Sequence, residues 1–326
     1  MKKKLLYLSL LFSALISCEK DKDDKTEVFA DLNNRQITAL ASDDTDRLWV
    51  GTDTGLFKSV TAGYEFIDIK LEGAVTSLAF DEVKNVLWVG TNHGLSKITL
   101  NGSLTNTDTI HGGKLSNDTI TSVYINSSSD VWFGTAKGIT LNRSDIWQKE
   151  KFKKNLSGTI TALAFEKIGV NSIACWDGDC YFATNGQSVY RTFNWDESAD
   201  AFTGASQLLY PYNGESLTDT MHVVFVDSKG QQWFGGKEGL QVHIGHDPKM
   251  DNTSFYNELV SPVVRCIAED NDGKIWVGTE GGISVYDGSS WVDKTASLPD
   301  PVVTAIAFEK DGKAWIGTKK GLVTIE

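Results

Sequence analysis

Cysteine is scarce in this chain, four among 326 residues, and histidine contributes only five. Neither is spaced like the ligand pairs of a zinc site. No nucleophile motif or glycine-rich phosphate loop occurs, so no motif-recognisable hydrolase or nucleotide enzyme is indicated. Positive charge is also short, with 31 Lys and Arg against 43 Asp and Glu and a net charge of −12. Nucleic acid is bound by clustered cations that release counterions, and the chain has neither a basic cluster nor aromatics interleaved on one. The only extended apolar run, Leu5 to Ile16, is too short to span a bilayer as a helix.

What the chain does have is one recurring pentapeptide. It reads LWVGT at Gly51 and Gly90, VWFGT at Gly134, a degenerate YFAT at Ala183, QWFGG at Gly235, IWVGT at Gly278 and AWIGT at Gly317. The steps between these anchors are 39, 44, 49, 52, 43 and 39 residues, a range in which one repeat makes a small antiparallel sheet. Residues 74 to 116 show the unit well. Ala74 to Phe80 is β-rich, Asp81 to Asn85 is a polar turn, and Val86 to Thr91 is a second strand. Asn92-His93-Gly94 then turns the chain into a third strand, Leu95 to Leu100. Outer strands such as Glu65 to Ile69 or Ser290 to Asp293 complete most units. Apolar residues on both alternations, as in Leu87-Trp88-Val89, require both faces of the sheet to be covered. The prediction is an all-β, seven-bladed β-propeller of four-stranded antiparallel blades. At 40% hydrophobic residues with 10 Trp, a single closed ring can bury a large core.

These residues resemble the two-component-regulator propeller repeat, whose pattern is a strand, then D-x-x-G-x-L-W-I-G-T, then a short turn and G-L. Asp270 to Thr279 is the fullest copy, and the resemblance covers about nine tenths of the chain. It implies the propeller fold. The family's repeats commonly form periplasmic sensor regions of histidine kinases and also occur in free-standing secreted proteins, and no kinase segment follows within this sequence.

Residues 1–17 read as a lipoprotein signal peptide, because Leu15-Ile16-Ser17-Cys18 resembles a lipobox and Cys18 would carry the lipid. The alternative is an ordinary signal peptide with a chance cysteine. Residues 18–25 are a charged tether that buries nothing, and it also resembles the acidic export signal of some surface lipoproteins. The expected address is the cell envelope: the outer membrane, on its periplasmic or surface side, held by the lipid alone. Residues 26–326 are the propeller. Glu27 to Asn34 looks like an outer strand with its exit loop, and the last repeat, Pro301 to Glu326, lacks one. The N-terminal segment is therefore expected to complete the final blade and remove an exposed edge.

Cys175 and Cys180 flank what reads as a four-residue turn in the fourth repeat, close enough for a disulfide; half of a metal site is the rival reading. Cys266 is read as a small buried strand residue. The register-matched Trp49, Trp88, Trp132, Trp233, Trp276 and Trp315 could form a carbohydrate platform, but their identical placement favours packing between blades. Trp176, Trp195 and Trp291 fall outside that register and are better contact candidates. Asp270 to Gly273 and the runs Val226 to Trp233 and Glu309 to Trp315 resemble calcium loops or sialidase Asp-boxes, yet fit turns.

Function in a propeller usually sits on the face where the first strands enter the channel. At the second position of the first strands stand Thr38, Thr76, Thr121, Thr161, His222, Arg265 and Thr304. His222 and Arg265 break the pattern in adjacent blades, placing an imidazole and a forked cation where an anion or carboxylate could be held. Neighbouring loops could equally satisfy both. Arg35, Asn92, His93, Asp118, Lys137, Asp219, Lys237, Glu238, Glu280 and Lys319 are expected on the same face. The leading expectation is a non-enzymatic module recognising a glycan, peptide or partner protein there, with no cofactor and no structural metal. A propeller lyase is the second, since streptogramin B lyase shares the repeat architecture and uses a histidine base beside Mg²⁺. A purely structural ring is the third.

Overall fold

The computed structural model describes residues 26–29, 32–60, 65–101, 104–126, 128–149, 170–176, 179–184, 189–196, 201–208, 211–212, 215–216, 221–244, 253–256, 258–296 and 298–325. Each recurring pentapeptide is the second strand of an antiparallel sheet. First strands run Ile37–Ser42, Val75–Asp81, Ile120–Ile125, Val170–Trp176, Met221–Val226, Val264–Glu269 and Val303–Phe308. With their third and outer strands they make seven four-stranded sheets, numbered here one to seven in that order. The first strands pack side by side in a closed cycle that returns from sheet seven to sheet one. This is a β-propeller. A separate hairpin pairs Pro211–Tyr212 with Glu215–Ser216 between sheets four and five. Among the described residues no helix is long and apolar enough to cross a membrane.

Why the anchor carries glycine at its fourth place follows from how closely neighbouring sheets approach. A Cβ on Gly51 would lie 2.4 Å from Val75 Cγ1 of the next first strand, and one on Gly317 would lie 2.5 Å from Ile37 Cγ2. Only hydrogen fits there. The tryptophan just before pays back the area, filling the gap between sheets: Trp49 joins Val75, Leu87 and Val89 of sheet two, and Trp276 joins Val303, Ala314 and Ile316 of sheet seven. Trp49, Trp233 and Trp315 are no more than 1% exposed.

Each indole N–H also needs an acceptor, and the turn before the second strand supplies it. Trp49, Trp233 and Trp276 donate to Asp43, Asp227 and Asp270 at 3.0, 2.9 and 2.8 Å. Trp315 donates to Glu309 at 2.8 Å. The other carboxylate oxygen of Asp270 accepts backbone N–H groups from Asp272 and Lys274, closing the turn. Sheet two carries one more turn residue, so Asp81 is out of reach and the Trp88 indole N–H is buried without a partner.

In sheet seven the strand order is Thr26–Val28, Gly321–Ile325, Ala314–Thr318, Val303–Phe308. Thr26 faces Ile325 and Val28 faces Val323. Phe29 follows, its ring 5.0 Å from Trp315 and 5.9 Å from Phe66 of sheet one, and Leu32 is fully buried beside them. The N-terminal segment thus spans the junction of first and last sheets.

Sheet four corrects two readings. Trp176 pairs with Asp179, so the hairpin carries two turn residues, not four. The strand paired with the degenerate anchor is Val170–Trp176, which displaces Thr161 from the first-strand register; Thr161 lies outside the described residues. Cys175 faces Cys180 across this hairpin, and Cys180 is disulfide-bonded. Cys266 is a free thiol whose Sγ lies over Gly278, and burial pushes its pKa up to about 12.

Candidate functional site

Every first strand carries a β-bulge at its second residue. In sheet one Ile37 pairs with Thr52 and Ala39 with Gly51, leaving Thr38 as the extra residue, and the same slip recurs in the other six sheets. A bulge redirects the side chain of its extra residue. The extra residues are Thr38, Thr76, Thr121, His222, Arg265 and Thr304, with Asn171 at this backbone position in sheet four. Asn171 takes the place assigned to Thr161, and only a pairing register could have revealed it.

Thr304 shows what this position does for the ring: its hydroxyl donates to Ile37 O of the following sheet at 2.6 Å. His222 makes the same reach, with Nδ1 2.8 Å from Val264 O. Since a carbonyl only accepts, Nδ1 carries the proton of the neutral ring and Nε2 carries the lone pair. Desolvation lowers the imidazole pKa, the bond to Val264 opposes this, and the charges of Arg265 and Lys237 lower it further against the pull of Glu280.

A second circle lies just outside. The residue after each Gly-Thr pair donates its backbone N–H to the residue before the first strand: Asp53 to Gln36, Asn92 to Ala74, Ala136 to Thr119, Glu280 to Val263 and Lys319 to Val302. Lys237 holds the corresponding place in sheet five. Sheets five, six and seven therefore present Lys237, Glu280 and Lys319 in succession around His222 and Arg265. Arg265 donates from Nε at 3.1 Å and from Nη2 to the same oxygen, Glu280 Oε1. That hydrogen bond, with the charges of Arg265 and Lys319, outweighs desolvation and holds the Glu280 carboxyl below its usual range.

The structure thus brings His222, Arg265, Lys237, Glu280 and Lys319 together and distributes the other candidates elsewhere. Arg35 donates to Thr54 Oγ1 at 2.7 Å and lies over the Phe57 ring in sheet one. His93 meets Asn92 Oδ1 at 2.8 Å in sheet two, where Asn92 also caps Ala74. Asp118 accepts the Gly112 N–H at 2.7 Å ahead of sheet three. Lys137 is exposed in sheet three, Glu238 is exposed directly after Lys237 at the edge of the cluster, and Asp219 lies outside the described residues. Trp291 is half-buried, its ring packed 5.2 Å from Tyr256 and 5.1 Å from Tyr286. The side chains of Trp176 and Trp195 and the whole of Cys18 lie outside the described residues. No group of three or more His, Cys, Asp or Glu side chains among the described residues is placed to hold a metal ion.

No curated protein sequence matches the chain significantly. Among solved structures it is similar to the extracellular domain assigned to a hybrid two-component system of B. thetaiotaomicron, at 18% identity and a TM-score of 0.72. That match covers 92% of this chain and 41% of the other, so this chain spans less than half of that protein. It is also similar to streptogramin B lyase, at 12% identity and a TM-score of 0.68 over 93% of this chain and 97% of the lyase. Virginiamycin B lyase from Staphylococcus aureus stands at 11% and 0.68, over 93% and 99%. At these identities the likeness is one of fold. In sequence, the two component regulator propeller family model matches residues 31–54 and 258–281.

Proposed function

We propose that the protein is a lipid-anchored binding module of the cell envelope, a closed seven-bladed ring that captures its ligand at the channel mouth over sheets five to seven. One observation carries the reading. Arg265 and Lys319 act on Glu280, and Arg265 and Lys237 on the His222 ring, so three cations gather in one sector of a chain of net charge −12. The described bulge positions outside this sector carry Thr or Asn. The match to two component regulator propellers favours recognition over chemistry. A glycan, a peptide and a partner protein all fit a mouth of this kind, with the membrane reached only through the lipid on Cys18.

The test is a thermal-shift screen of the mature domain against oligosaccharides, peptides and divalent metals, with hits repeated on His222→Ala and Arg265→Ala. Stabilisation without turnover, lost in either variant, is the expected result. A hit indifferent to both substitutions would move the site elsewhere. A lyase-type reaction is the second reading, favoured by the lone pair on His222 Nε2, which suits a general base. Turnover abolished by His222→Ala would establish it.

A further inference from the structure

Glu280 and Arg265 do nothing for the ring that their counterparts in other sheets fail to do. The backbone bond made by Glu280 is made equally by Asp53, Asn92, Ala136 and Lys319, so its carboxylate is not needed there. At the bulge, Thr304 and His222 tie their sheet to the next, whereas Arg265 turns its guanidinium to Glu280 instead. Both side chains are partly open to solvent, 38% for Arg265 and 36% for Glu280. Ion pairs at that exposure are weak and readily exchanged. The pair is also unevenly made: two donors of the fork share Oε1, whereas a carboxylate approaching along the fork can give each donor its own oxygen. Lys319 also stands near Glu280, so a second cation faces the place this carboxylate holds on Arg265.

We propose that the ligand bears a carboxylate, and that Glu280 occupies the place of that carboxylate on Arg265 until the ligand displaces it. This rests on the binding reading above and names its ligand chemistry. The carboxylate could belong to a uronic acid or to an acidic peptide, and the experiment separates them. The mature chain, as wild type, Glu280→Gln and Arg265→Gln, is titrated calorimetrically with trigalacturonate and triglutamate, and with galactotriose and triglutamine as neutral controls. Glu280→Gln should tighten the acidic probe that binds by about fivefold, the exchange factor of an exposed ion pair, and leave the neutral ones unchanged. Arg265→Gln should abolish acidic binding. Whichever acid responds identifies the source. If the acid binds wild type through Arg265 yet Glu280→Gln binds it equally or more weakly, Glu280 is part of the site and the displacement is wrong. If Glu280→Gln binds neither acid, the carboxylate assignment falls; the binding reading falls with it only when every ligand of the thermal-shift screen fails too. Equal melting temperatures of wild type and Glu280→Gln guard against misfolding.

Discussion

Individual carboxylates in this ring have opposite duties depending on their turns. Asp43 is buried, and burial by itself would raise its pKa. The bonds it accepts from Thr45 and Trp49, with the Arg47 charge, outweigh that and hold it below the usual carboxylate range. A lowered acid contributes stability that is present above its unfolded pKa and lost as pH falls through the folded one. Asp43→Asn should therefore flatten the loss of stability below about pH 4, and Asp43→Ala should cost about 2–4 kcal/mol by denaturant unfolding. Glu309 runs the other way: burial raises its pKa despite the Trp315 bond. Its ionised form is a burden at neutral pH, so Glu309→Gln, which can still accept from Trp315, should raise the melting temperature at pH 7. His222 adds a basic case. Its folded pKa is lowered from 6.5, so its contribution is present above that value and lost as pH falls below it. His222→Thr, copying Thr304, should keep stability at pH 8 and lose less on going to pH 5.

At the scale of strands and sheets, the glycine contact gives a paired test. Gly51→Ala should destabilise by about 1–3 kcal/mol through the clash with Val75, and Val75→Ala in the same chain should restore part of it. Deleting residues 26–32 should lower the melting temperature by many degrees, because it strips a strand and Leu32 from the junction of sheets one and seven. The strands themselves were legible from the tryptophan-glycine anchors, since two-sided burial leaves a plain apolar signature. Sheet four was not: its anchor has Ala183 for glycine, and a Thr-rich segment near Thr161 imitates the first strands of other repeats. No single-residue pattern signals a bulge, so the broken threonine series at His222 and Arg265 could be seen while Asn171 could not. The partnership of Arg265 with Glu280 was likewise hidden, because a strand bulge and the turn after the next strand bring together residues 15 apart whose side chains could have met other groups.

For the molecule as a whole, the proposed anchor makes a direct prediction: Cys18→Ala should abolish metabolic labelling by palmitate and move the protein from the membrane to the soluble fraction. Retained labelling would remove the lipid from the account. How the ring would then hang follows from the strand Thr26–Val28. Third strands start at the rim that carries Lys319, and Thr26 stands at the opposite end, against Ile325. A leash arriving at Thr26 would therefore grip the disc from behind. Its arginine and histidine look outward like a dish turned from its mast, free to meet large or bulky visitors without the support standing in their way.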